Sequence, residues 1–167
     1  MSLRGTLSAR LLDGWHGNPW FGSSSDAILA GVSAAEASTR IAPGTHTIWE
    51  IVEHMTAWTE AVAARVRGAG AKAPERGDWP SVTETTDAAW TAALASLKAA
   101  RAELLAEIES SHEEDIQIHV KNHSPPFADT GLSRAGTVAG LIDHDAYHLG
   151  QIAMIKRAVK NSASVAG

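Results

Sequence analysis

Apolar residues recur at intervals of three and four through most of the chain, the period of helices that bury one face. The pattern is clearest after Thr47, where Ile51, Met55, Trp58 and Val62 step along one side. Thr47-Ile48-Trp49-Glu50 sets a capping hydroxyl three residues before a glutamate, so each can satisfy an orphan N–H at a helix start. Gly68 and Gly70 supply the stop, and the spacing predicts a helix over about 47–67. A longer helix is expected over 83–109, where Trp90, Leu94, Leu97, Leu104 and Ile108 keep the 3.6-residue period. A capping pattern at Ser81-Val82-Thr83-Glu84 marks its start. The last helix is expected over 133–160.

Shorter pieces precede these. Residues 5–15 read as a helix with Leu7, Leu11 and Leu12 on one side, broken by Gly17-Asn18-Pro19. A second piece spans 25–30, and Ser33-Ala34-Ala35-Glu36 caps another short turn before the stop at Ala42-Pro43-Gly44. Residues 68–80, rich in Gly, Ala and Pro, read as a loop. In 110–130, Ile116, Ile118 and Val120 alternate with polar residues, which suggests a short extended segment, and Pro125-Pro126 excludes helix. Four main helices with accessory pieces and long connections describe an all-α four-helix bundle, one domain over 1–167.

Composition narrows the function. At 167 residues and 44% apolar the chain can build a full core. A net charge of −5 without a basic block gives no reason to expect nucleic acid as a partner. No apolar run approaches the roughly 18 residues that span a bilayer, and the N-terminus has no signal-peptide core, so a cytoplasmic location is expected and no membrane partner. The absence of cysteine excludes disulfides, thiolate ligands and a protein thiol nucleophile; any thiol chemistry must borrow its thiol from a substrate. Eight histidines are many for this length, and six tryptophans against one tyrosine is unusual.

The histidines point to a metal. His144 and His148, four residues apart on the last helix, lie one above the other, and both imidazoles can reach one point beside it. On a helical wheel His148 falls about 40° from His144, at the edge of the face carrying Leu141, Ile152 and Ile155. His54 stands on the buried stripe of the 47–67 helix, where it needs partners for both ring nitrogens. A bundle sets such stripes opposite one another, so His54 can meet the pair, although spacing alone does not bring these helices together. Three neutral imidazoles would leave coordination positions open, as catalytic sites do. Asp145 falls about 100° from His144, inside the apolar arc; an acceptor for a ligating histidine, an acid/base group and the helix surface are the readings, with the surface ranked first. Tyr147 can border the site, with packing as its plainer role, and Gln151 is able to bond a ligand or a histidine. His112, His119 and His123 are read as solvated or loop residues. Trp15, Trp20, Trp49 and Trp58 are candidates to wall a pocket near the metal, with plain core packing expected for at least half.

Two other motifs are excluded. His144-Asp145-Ala146-Tyr147-His148 is a zinc-protease H-E-x-x-H with a shorter carboxylate, and the other features of those enzymes are absent. Glu109-Ser110-Ser111-His112 is a single E-x-x-H at a helix end, where a di-iron bundle needs two and two further glutamates.

Pro43-Gly44-Thr45-His46-Thr47-Ile48-Trp49-Glu50-Ile51-Val52-Glu53-His54, followed by Ala57-Trp58, and His144-Asp145-Ala146-Tyr147-His148-Leu149-Gly150-Gln151-Ile152 resemble the DinB/YfiT-like superfamily of metal-dependent enzymes. The resemblance implies an up-down-down-up four-helix bundle, often a homodimer. It implies a divalent metal held by His54, His144 and His148; imidazole ligands suit zinc or nickel first, with iron or manganese as alternatives. It also implies a small-molecule substrate. Some members are thiol-dependent S-transferases or isomerases that use low-molecular-weight thiols such as bacillithiol or mycothiol, and others are described as hydrolases. The rival expectation is a dimeric bundle that holds a metal or small ligand without turnover.

Overall fold

A computed structural model describes residues 2–121, 123, 124 and 131–165, and among these the chain is all-α. Six α-helices follow in order: α1 (Leu3–His16), α2 (Ser25–Leu29), α3 (Ala34–Ser38), α4 (Ile48–Arg67), α5 (Asp87–Ser110) and α6 (Arg134–Val165). Two of the capping boxes form reciprocally. The Ser33 hydroxyl accepts from Glu36 N–H at the start of α3, the Thr47 hydroxyl accepts from Glu50 N–H at the start of α4, and each glutamate accepts from the backbone N–H of its cap. Gly68 closes α4 in the left-handed conformation, φ 114°, which a side chain would strain.

The third capping pattern does not form. Instead α5 starts at Asp87, with the Thr86 hydroxyl accepting from Ala89 N–H. Val82 is drawn against the core ahead of the helix, which keeps 81–86 non-helical, and Thr86-Asp87 offers an equally good cap with an acid in the first turn. The alternating segment is also only partly extended. Ile116 sits in a 3₁₀ turn, Asp115–Gln117. A single bridge then pairs His119 with Ser133, with Val120 N–H donating to the Leu132 carbonyl at 3.0 Å. The alternation does not survive as one buried face: Ile116 and Val120 are buried, but Ile118 between them is exposed, because the 3₁₀ turn breaks the two-residue period that would have put all three on one side. The expected break at Pro125-Pro126 lies outside the described residues.

Two apolar clusters divide the bundle lengthwise. One gathers the first half of α4 (Ile48 to Met55), the first half of α5 (Trp90 to Leu97), the later part of α6 (Leu149, Ile152, Ile155) and α2–α3. The other gathers the ends of α4 (Val62, Val66) and α5 (Leu104, Ile108), the early part of α6 (Ala135 to Ile142), Ile116, and Leu7, Leu11 and Trp15 of α1. Thus α4 and α5 run the same way and α6 runs against them. The long 68–86 connection makes the parallel pair possible. On α1, Arg4 bonds the carbonyls of Glu109 and Ser111 while Trp15 reaches Asp145, so α1 runs with α6. That is the up-down-down-up order. His54, His144 and His148 occupy the boundary between the two clusters.

Candidate metal centre

α4 and α6 cross at this boundary and bring the three histidines together. His54 Nε2 lies 2.9 Å from His144 Nε2, and His148 Nε2 lies 3.1 Å from the same atom. One ligand atom from each ring falls within 4.8 Å of the others, a group that could hold a metal ion. His54 and His148 are buried, and His144 is half-buried.

The outer ring nitrogens decide what the inner ones can do. His54 Nδ1 donates to the Asp78 carbonyl at 2.5 Å, and His148 Nδ1 donates to Gln151 Oε1 at 2.7 Å. With the single proton of a neutral imidazole placed there, both Nε2 atoms carry bare lone pairs. Burial is the main force holding both rings neutral. It lowers the His54 pKa against the opposing pull of the Asp78 carbonyl, and it lowers that of His148 to about 4, opposed by Gln151 and helped by the neighbouring His144 and His54. Both bare nitrogens face His144 Nε2, which has at most one proton to offer them. At least one lone pair therefore meets another across a short gap. A cation between the three removes that repulsion. Ligand atoms about 2.0–2.1 Å from a tetrahedral ion stand roughly 3.3–3.4 Å apart, only slightly wider than the 2.9 and 3.1 Å seen here. The donor set thus fits a divalent metal.

The 68–86 connection completes the site. Besides bonding His54, Asp78 accepts from Trp58 Nε1 through Oδ1 at 2.7 Å. Trp79 stacks on His54 with ring centroids 3.9 Å apart and planes 10° from parallel, and His46 covers its other face at 3.5 Å. Arg76 ties the connection to α4 through Glu53 and Glu60. Beside the histidines opens a cleft of about 320 Å³, lined by His54, His144, Trp58, Val62, Leu141, Gly140 and others.

Several sequence expectations need correction. Asp145 is not on the helix surface: it is 5% exposed, accepts from Trp15 Nε1 at 3.3 Å and lies 3.5 Å from the Arg101 guanidinium. Its place in the apolar arc was the true signal, and the buried cation on α5 explains how a carboxylate occupies it. Tyr147 is largely exposed, its ring edge against His148, rather than packed in the core. The tryptophans divide as expected, with two of the four candidates in the core: Trp58 lines the cleft. Trp49 packs on Trp90 in the core, Trp15 is buried beside Arg101, and Trp20 is fully exposed. Asp78 and Trp79 were not singled out by sequence; a Gly/Pro-rich connection offers no period to read. His112 and His119 are exposed, as expected, and His123 is half-buried with Nε2 on the Val120 carbonyl.

Fold and site together define a helical bundle with three converging histidines at its waist, open on one side to a cleft. The family model of the DinB superfamily matches residues 22–152, and the chain belongs to that superfamily. Searches of curated proteins and of solved structures gave no match.

Proposed function

We propose that His54, His144 and His148 hold a divalent metal ion, zinc or nickel before iron or manganese, and that the chain is a metal-dependent enzyme acting on a small molecule. The observation that carries this reading is the cleft lined by His54 and His144, two of the three histidines: a purely structural site has no use for an approach to its ligands. An ion on three neutral ligands keeps its full charge and favours the deprotonated form of a water or thiol. The chain's own residues do the rest. The Asp78 carbonyl and Gln151 fix the rings of His54 and His148, while Trp58, Val62 and Leu141 exclude water. Gly140, one turn before His144, leaves the entrance clear, since a Cβ there would meet nothing within 4 Å. With no cysteine in the chain, a thiol-dependent transfer or isomerisation takes its thiol from a low-molecular-weight cosubstrate; hydrolysis needs none.

Metal analysis followed by a thiol-transfer and hydrolysis screen, with and without the metal, tests the assignment. Gly140→Leu sharpens it. A Cβ at this position meets nothing within 4 Å, so the longer side chain has open space to enter at the mouth of the cleft; metal content and melting temperature should hold while turnover falls at least tenfold. Unchanged turnover would place the reaction elsewhere.

We propose further that the protein is a cytoplasmic homodimer. Among the described residues no helix is long and apolar enough to cross a membrane. Exposed Trp20 and Phe21 offer apolar surface of the kind interfaces cover. Light scattering at micromolar concentration should return twice the chain mass; the mass of one chain rejects the dimer and leaves the metal site untouched.

A further inference from the structure

Two buried polar atoms beside the metal centre have no hydrogen-bond partner, and they are neighbours. His144 Nδ1 and Asp145 Oδ1 are shielded from water, unbonded, and 3.9 Å apart. Buried polar atoms are seldom left this way. His144 is also the exception among the three histidines, because the outer nitrogens of His54 and His148 already donate to an oxygen. A neutral imidazole carries one proton. With no ion between the rings, that proton is best placed on Nε2, which faces two bare nitrogens. An ion at Nε2 leaves it only Nδ1, and the nearest carboxylate there is Asp145.

We infer that Asp145 is a positioning residue for His144, its Oδ1 accepting the Nδ1 proton when Nε2 ligates a cation. The other contacts of Asp145 leave that oxygen available: Trp15 Nε1 and Arg101 Nη2 both approach Oδ2. Arg101 is itself anchored, with Nη1 donating to Ser25 Oγ at 2.9 Å and the guanidinium over the Trp15 ring. The carboxylate is therefore held from α1 and α5, neither of which supplies a ligand. Closing 3.9 Å to a hydrogen bond takes a shift of about 1 Å. Ligating histidines characteristically donate their other N–H to such an acceptor, which fixes the tautomer and raises the basicity of the ligand. This role presupposes the metal site proposed above.

Zinc affinity by chelator competition, together with ring-nitrogen NMR of the zinc-loaded protein, tests it. In Asp145→Asn the amide oxygen is claimed by the Trp15 Nε1 donor, so that its NH2 turns toward His144. The variant should weaken zinc binding about 10–100-fold, the usual effect of losing such a partner. The exchange-protected Nδ1 proton of His144 should vanish while those of His54 and His148 persist; a general loosening of the site would move all three. Should Asp145→Asn fold poorly because Arg101 loses its counter-charge, Arg101→Met/Asp145→Asn removes both charges and is read the same way. Zinc affinity within twofold of wild type in either folded variant, or an unchanged His144 signal, overturns the role. Failure of the wild type to bind zinc or nickel at all overturns the metal site and this role with it.

Discussion

His148→Ala is expected to abolish stoichiometric metal binding and any metal-dependent turnover while leaving the helical circular dichroism spectrum intact. Two arguments set the size of the effect. The ring is one of the three proposed ligands, so its loss would leave two, and should cost more than the 10–100-fold of an outer partner. The fold, in contrast, does not depend on it. His148 sits between two apolar clusters that hold the bundle through their own contacts, and Leu149 and Ile152 beside it are fully buried. Metal analysis, circular dichroism and a melting curve of the metal-free proteins decide the matter together. A steep drop in melting temperature on metal loss would make the ion a structural element, because its binding energy would then be folding energy. Retention of a full metal equivalent would mean that the imidazole is merely a buried polar group.

Arg101→Ala carries the largest expected cost to stability. The guanidinium is buried against Asp145, Ser25 and Trp15, and burial presses its pKa down while the Asp145 carboxylate holds it up. Removing one member of a buried pair leaves the other charge uncompensated, at about 3–5 kcal/mol. For a domain of this size that is a fall of roughly 6–20 °C in melting temperature. Replacing both members by uncharged side chains, Arg101→Met/Asp145→Asn, should recover much of the loss, since the desolvation of both ions disappears with them. A single variant melting within two or three degrees of wild type, taking that as about 1 kcal/mol, would show that water already reaches the pair.

The order of helices and the pairing of His144 with His148 were legible because each rests on a local rule. Capping boxes mark the starts of α3 and α4, a left-handed glycine ends α4, and the four-residue spacing puts His144 and His148 on one face. His54 was legible as a polar residue on an apolar stripe, but its meeting with the pair came from family resemblance, because no local rule says which stripes will face each other. The start of α5 was misread where two capping signals, at Ser81 and Thr86, lay within two turns of each other, and core packing of Val82 chose between them. Asp145 was misread for a similar reason: its wheel position was right, and its partner lay on another helix. Asp78 was invisible for a deeper reason. Its hydrogen bond with His54 is accepted by a peptide oxygen, which every residue has, and its carboxylate adds only a longer approach of 3.4 Å to the same nitrogen.

That last point governs how this site tolerates change. The oxygen that orients His54 is encoded by the path of the 68–86 connection, not by a codon, so no point substitution at position 78 deletes it. Gaining or losing a residue between Gly68 and Trp79 would slide a different carbonyl under the ring and pull the indole off its face. The connection between α4 and α5, the segment where insertions are ordinarily best tolerated, is here calibrated in length.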